Sequence, residues 1–265
     1  MWTNFITLKQ CENTSINLFF NRNFSDDYFF NRIYFDNEND ILKSLIFLKS
    51  FLTLEGISGY LHLKNETNYL RKQFKKSNFI YVDSIYTLES PTKLITTTSI
   101  DTEKEISVTK INDTVLLNIW TNIFCQSFNI KDHCPFMDIV NKNKQKFVFL
   151  LATLKNKNKS KSKSKENKNE NNDTHNGGID NDNIPVGVCL LFEKYGCLGL
   201  YCLGTLPEYR SRGIAKMIVK TSLQIAYTMK YDKIFLQTFQ NDNYIDFYKK
   251  IKFKVIDKRK IFQIN

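Results

Sequence analysis

Arg210, Ser211, Arg212 and Gly213 stand together ahead of Ile214-Ala215 and the amphipathic run Met217, Ile218, Leu223, Ala226 and Met229. Upstream, Gly199-Leu200-Tyr201-Cys202-Leu203-Gly204-Thr205 reads as a strand, and Leu206-Pro207-Glu208-Tyr209 turns the chain. A strand entering a helix through a short turn leaves the first N–H groups of the helix unpaired and aimed outward. The helix dipole, a glycine that admits close approach and two guanidinium groups make such an end a phosphate site. The chemistry on offer is the binding of an anionic, phosphate-bearing ligand.

Other chemistry-bearing residues are sparser. Asn241 precedes a short segment with Tyr248, a potential proton donor. Glu193 lies by a turn, and Glu208 reads as a solvated carboxylate of the loop, so no general base is named. His175 falls in a polar run, and His62 and His133 lack a matching motif. The six cysteines show no CxxC pairing; they read as buried thiols, with neither a disulfide framework nor a zinc site, and no metal is expected.

The whole stretch resembles the acyl-CoA loop of the GNAT superfamily: Gln or Arg, two residues, Gly, one residue, then Gly or Ala. Arg210, Gly213 and Ala215 occupy those places, with Thr-Leu-Pro-Glu-Tyr as the usual lead-in from the fourth strand. Phe235-Leu236-Gln237-Thr238 is similar to the fifth strand, and 241–253 to the family's Asn…Tyr helix and final strand entry. One departure is Lys252-Phe253, where the family usually has Gly-Phe, which alters the turn. The resemblance implies an α/β fold with a mixed, mostly antiparallel central sheet flanked by helices. It implies acetyl-CoA as cosubstrate and a primary amine, on a small molecule or a protein, as acceptor. By the same resemblance the pyrophosphate falls to residues 210–215 (Arg210, Ser211, Arg212, Gly213, Ile214, Ala215). The backbone of Leu203, Gly204 and Thr205 would serve as oxyanion donor, Asn241 would contact the pantetheine, and Tyr248 would protonate the departing thiolate. The expected reaction is direct attack of the amine on the thioester; the alternative is a regulatory module of the same fold that binds acyl-CoA without turnover.

These residues need a scaffold. After 183 the pattern is strand, strand, helix (211–229), strand (233–239), helix (242–251) and a last strand (253–264) with a bend. Asn112 or Asp113 caps a helix with Val115, Leu116, Ile119, Trp120, Ile123 and Phe124 on its apolar face. Residues 147–154 and 184–192 read as strands around an insertion, 155–183, too polar to offset the entropy of ordering it. A disordered loop is expected there, and a second domain over 104–265.

Residues 1–103 read as a smaller α/β region, with a helix in 41–54, part of another in 69–74 and a strand from Phe79. They faintly resemble the N-terminal extensions of two-part family members, as a degenerate copy of the same fold. Asp26, Asp27 and Tyr28-Phe29-Phe30 could line a substrate cleft, although aromatics so spaced are more often core.

Composition bounds the rest. A chain of 265 residues, 42% hydrophobic, can bury a sizeable core. The net charge of +11 is spread along the chain without a nucleic-acid-binding motif, so no specific nucleic-acid partner is expected. The most apolar stretch, 41–54, is too short to span a bilayer and no secretory signal is evident, so neither membrane nor export is expected. The expected compartment is the cytoplasm; the Lys-Ser alternation at 157–165 leaves the nucleus open.

Overall fold

The computed structural model describes residues 7–10, 16–35, 40–93, 105–130, 140, 144–155, 182–194 and 196–264. The elements run β1 (Thr7–Gln10), β2 (Ile16–Phe20), β3 (Arg32–Phe35), α1 (Leu45–Glu55), β4 (Gly59–Leu63), α2 (Asn68–Lys76) and β5 (Phe79–Pro91). They continue with β6 (Ile106–Ile111), α3 (Thr114–Ser127), β7 (Phe147–Lys155), β8 (Asn183–Lys194), β9 (Cys197–Thr205), α4 (Ile214–Thr228), β10 (Lys233–Phe239), α5 (Ile245–Lys250) and β11 (Lys254–Ile264). Mixed strands and helices of this kind are the α/β fold expected. Most of the 155–183 insertion, together with Cys11, His133, Cys134 and His175, lies outside the described residues.

The chain divides into two compact units. Unit 1 is Met1–Ser90 with Leu236–Asn265, and unit 2 is Pro91–Phe235. This partition is drawn differently from 1–103 and 104–265, because strand pairing joins the last thirty or so residues to the first ninety.

In unit 1 the strand order is β1-β2-β3-β4-β11-β5-β10, β10 contributing its residues from Leu236. All the pairs from β1 to β5 are antiparallel except β3 with β4. Period-two alternation in β2 sends Ile16, Leu18 and Phe20 to one face. There they join Ile33, Leu61, Leu63, Phe262 and Ile264 in one cluster with Leu48, Phe51 and Leu52 of α1 and Leu70 and Phe74 of α2. The helix α1 stops at Gly56, which takes φ 64 and returns its N–H to Thr53 and Leu52. Thr67 caps α2 by accepting from the Leu70 N–H at 3.1 Å. The expected bend in the last strand appears as two register shifts of β11 against β5.

Unit 2 is an antiparallel ladder in the order β9-β8-β7-β6. Asp113 caps α3 through the Leu116 N–H at 2.8 Å, as the sequence suggests. Fully buried Trp120 fixes α3 to the sheet: its indole N–H lies 3.0 Å from the Leu150 carbonyl and 3.1 Å from that of Cys189. No helix among the described residues is long and apolar enough to cross a membrane.

Candidate functional site

The loop 206–213 of unit 2 joins β9 to α4. The helical pattern suggests a helix from 211, but α4 begins at Ile214. The backbone explains the difference: Ser211 has φ 62 and Gly213 φ 80, both left-handed, and periodicity of side chains carries no trace of such reversals. Gly213 is the N-cap, and the first intrahelical bond runs from the Met217 N–H to its carbonyl at 3.0 Å. The amides of Ile214, Ala215 and Lys216 therefore have no partner within the helix. No side chain caps this end and no acidic residue stands in the first turn, so its positive potential is not neutralised locally.

Both arginines brace the loop. Arg210 donates to the Thr205 carbonyl at 3.2 Å and to the Ser127 carbonyl at 2.9 Å. Arg212 donates to the Glu208 carbonyl at 3.4 Å and lies 5.2 Å from the Tyr209 ring centroid. Their N–H groups hold the backbone ahead of α4 in shape.

Leu203, Gly204 and Thr205 end β9, and next to them is a feature the sequence hides. Val188 pairs with Gly204 and Leu190 with Tyr201, so Cys189 faces both Cys202 and Leu203. This is a β-bulge; Cys202 takes φ 54, and one backbone group of the strand leaves the ladder. A cysteine in an apolar run gives no signal of it. Gly204 matters for a different, steric reason. A Cβ there would come within 2.8 Å of the Ser127 Cβ, so only glycine lets the end of α3 reach β9. Burial pushes the Cys189 thiol up to about 12 and raises that of Cys202, which removes both as thiolate nucleophiles.

Asn241 and Tyr248 belong to unit 1. Asn241 follows β10; its N–H donates to Asp83 Oδ1 at 3.2 Å and its side-chain amide to the Val82 carbonyl at 3.5 Å. Tyr248 is buried in α5, its ring 5.1 Å from Phe247 and 5.9 Å from Phe253. The turn after α5 survives the Lys252 departure. Lys252 adopts φ 74 itself, its N–H reaching the Lys249 carbonyl and that of Phe253 the Tyr248 carbonyl, both at 3.0 Å. That is the left-handed helix stop in which glycine is favoured, so the turn is kept, at the cost of a strained lysine.

The structure thus gathers Leu203, Gly204, Thr205, Arg210, Ser211, Arg212, Gly213, Ile214 and Ala215 in unit 2, and places Asn241 and Tyr248 in unit 1. His62 lies in β4, in unit 1. Among the described residues no group of His, Cys, Asp and Glu is arranged to hold a metal ion.

Residues 144–253 match the acetyltransferase (GNAT) family. No curated protein matches the chain in sequence. Among solved structures, a functionally unknown conserved protein from Staphylococcus epidermidis superposes with a TM-score of 0.67 at 12% identity, over 100% of this chain and 97% of its own. A GCN5-related N-acetyltransferase from Kribbella flavida gives 0.65 at 12% identity, over 97% and 89% of the two chains. Another from Sphaerobacter thermophilus gives 0.62 at 11%, over 94% and 75%. At such identities the likeness is one of fold, and it extends beyond the matched segment into the N-terminal half. Residues 144–253 are thus similar to the acetyltransferase (GNAT) family in sequence, and this segment is where the family likeness lies.

Proposed function

We propose that the protein is an N-acetyltransferase that moves the acetyl group of acetyl-CoA to a primary amine, by a functional domain running over 104–265. The observation that carries this is the open N-terminus of α4 at Gly213, with its unpartnered amides, no neutralising acid and two bracing arginines. A pyrophosphate fits that end electrostatically and sterically, with the amides of Ile214 and Ala215 as donors and Ser211, Arg210 and Arg212 around it.

The bulge on β9 supports the next step. A backbone N–H released from the ladder near Leu203, with Gly204 and Thr205 beyond it, can donate to the oxyanion that forms when the amine attacks the thioester. Asn241 would steady the pantetheine, and Tyr248 would return a proton to the sulfur as the thiolate departs. The free thiols among the described residues, Cys125, Cys189, Cys197 and Cys202, favour a reducing, cytoplasmic setting.

The test combines two measurements on the full chain: calorimetric titration with CoA, and thiol release from acetyl-CoA with a panel of primary amines. Binding with amine-dependent release is expected. Binding without release from any amine would leave an acyl-CoA-binding module, and absence of CoA binding would overturn the assignment.

A further inference from the structure

The sheet of unit 1 has a second face, which sets charged and polar side chains beside a small apolar cluster of Tyr60, Ile85 and Ile261. Opposite the Leu61 and Phe262 side lie Arg32 and Tyr34 of β3, His62 of β4, Asp83 of β5 and Arg259 of β11, the register setting His62 and Asp83 on either side of Ile261. Residues 21–31 fold over this face. The Tyr60 hydroxyl donates to the Asp26 carbonyl at 2.8 Å, His62 Nε2 lies 3.2 Å from the Tyr28 carbonyl, and Tyr28 and Phe29 pack on Phe239 at 4.8 and 5.9 Å. Three side chains here are almost fully buried, Arg32 at 6%, His62 at 3% and Asp83 at 0% exposure, and each leaves a polar atom without a hydrogen-bond partner. Folded proteins seldom leave such atoms unpaired, and those that remain call for a ligand, a water or an ion.

Asp83 is the most informative of the three. Oδ1 is taken by the N–H groups of Ser84 at 2.7 Å and Asn241 at 3.2 Å, while Oδ2 has no partner. The Tyr28 phenol makes a loose side-chain hydrogen bond to the Asp83 carboxylate that helps it retain its proton, but the contact does not satisfy Oδ2. Burial, and then the charges of Asp83, Asp242 and Asp27, push that phenol up to about 12. Asp242, raised by desolvation and then by Asp83, is exposed, so the carboxylates run from the surface inward. No lysine or arginine of the described residues pairs with Asp83 or Asp242, although the chain carries a net +11. Phe239 and Phe29 add aromatic surface.

A metal would need several oxygen or nitrogen ligands in one shell, and no such group is present among the described residues. An ammonium asks for less: two or three acceptors at relaxed spacing, and aromatic rings to face its methylenes and its charge. We propose that Asp83 Oδ2, Asp242 and Tyr28 bind the ammonium of the acceptor, a small aliphatic amine. Its role as acceptor rests on the acetyltransferase function above; its chemistry rests on unit 1 alone.

The test titrates the full chain with 1,4-diaminobutane and, separately, with 1,4-butanediol, which matches its length without charge, following each by ligand-observed NMR. Saturable binding of the diamine and at least about tenfold weaker binding of the diol are expected. Asp83→Asn, which preserves shape and Oδ1, should weaken the diamine by about tenfold or more, and Asp242→Asn, at an exposed position that does not threaten folding, by about threefold. Diamine binding no tighter than diol binding, or diamine affinity unchanged in a folded Asp242→Asn or Asp83→Asn protein, would overturn the proposal and leave Oδ2 to a buried water. A parallel CoA titration of the wild type separates the two ideas. Carboxylate-dependent diamine binding without CoA binding removes the acetyltransferase role and keeps the site; CoA binding with no preference for the diamine does the reverse.

Discussion

Arg210 Nη2 donates to the carbonyl of Ser127 at 2.9 Å, tying the start of the α4 loop to the end of α3 across 83 residues of chain. With its second bond to Thr205, the guanidinium works as a fork that a lysine cannot reproduce. Arg210→Ala is expected to cost about 1 kcal/mol of stability, a melting shift of about 2–4 °C, and to weaken CoA several-fold. Arg210→Lys keeps the charge and should lose most of the same stability. Thermal melts and calorimetry on both variants check this, and a lysine protein as stable as wild type would reduce Arg210 to a point charge.

Gly213→Ala places a Cβ on a residue at φ 80, a strain of about 1 kcal/mol, at the point where a pyrophosphate would approach the amides. Gly213→Val adds bulk. CoA affinity should fall by at least about tenfold, roughly 1.4 kcal/mol, in the valine variant. Unchanged affinity in a folded protein would remove the loop as the anion site.

Tyr248→Phe retains the buried ring and its contacts with Phe247 and Phe253. If the hydroxyl acts in thiolate protonation, the loss appears in turnover and not in binding: kcat down by about 10² with the CoA dissociation constant within about threefold. An unaltered kcat with a competent amine would return Tyr248 to the core.

His62 is held well below its ordinary value by burial first and then by Arg32 and Arg259, with the Tyr28 carbonyl opposing them. The folded protein thus binds this proton less readily than the unfolded chain, whose imidazole titrates near 6.5. Stability should be full above that pH and decline as pH falls below it, by up to about 1.4 kcal/mol per pH unit until the folded-state value is reached. Urea titrations between about pH 7.5 and 5 check the slope, which His62→Gln should flatten. A wild-type slope equal to that of the glutamine variant would show His62 is not responsible.

Lys252 occupies a left-handed helix stop at φ 74. Lys252→Gly relieves that strain and should raise stability by about 0.5–1 kcal/mol without touching CoA binding, since the side chain makes no part of the proposed site. Denaturant midpoints decide it; a loss of stability would mean the lysine side chain packs usefully.

The elements around the candidate site were legible where the chain is punctuated: Pro207 and Gly213 mark a turn and a helix start, Asp113 a cap, and the apolar spacing of α3 its buried face. The bounds were less so. Three residues assigned to α4 by their period are excluded by two positive φ values, which side-chain type does not encode for Ser211. The bulge at Cys202 depends on pairing with β8 and has no local signature. β2 and β3 are short strands among Asn, Asp and Phe, and their pairing alone identifies them. Asp83 is the clearest case: Tyr81-Val82-Asp83-Ser84 reads as a strand with one polar break, and the carboxylate gains meaning only through Asn241, 158 residues away.

The placement of β11 also bears on how the molecule comes into being. This strand follows every other element described, yet it lies between β4 and β5, with Lys260 opposite Leu63 and Ser84. During vectorial synthesis β4 and β5 emerge early and must wait, their facing edges unsatisfied, until the whole of unit 2 has been made. Contacts of such sequence separation slow folding, because the loop must close before it is rewarded. Unit 2 is complete in the chain before β11 is made, and unit 1 can be completed only after it.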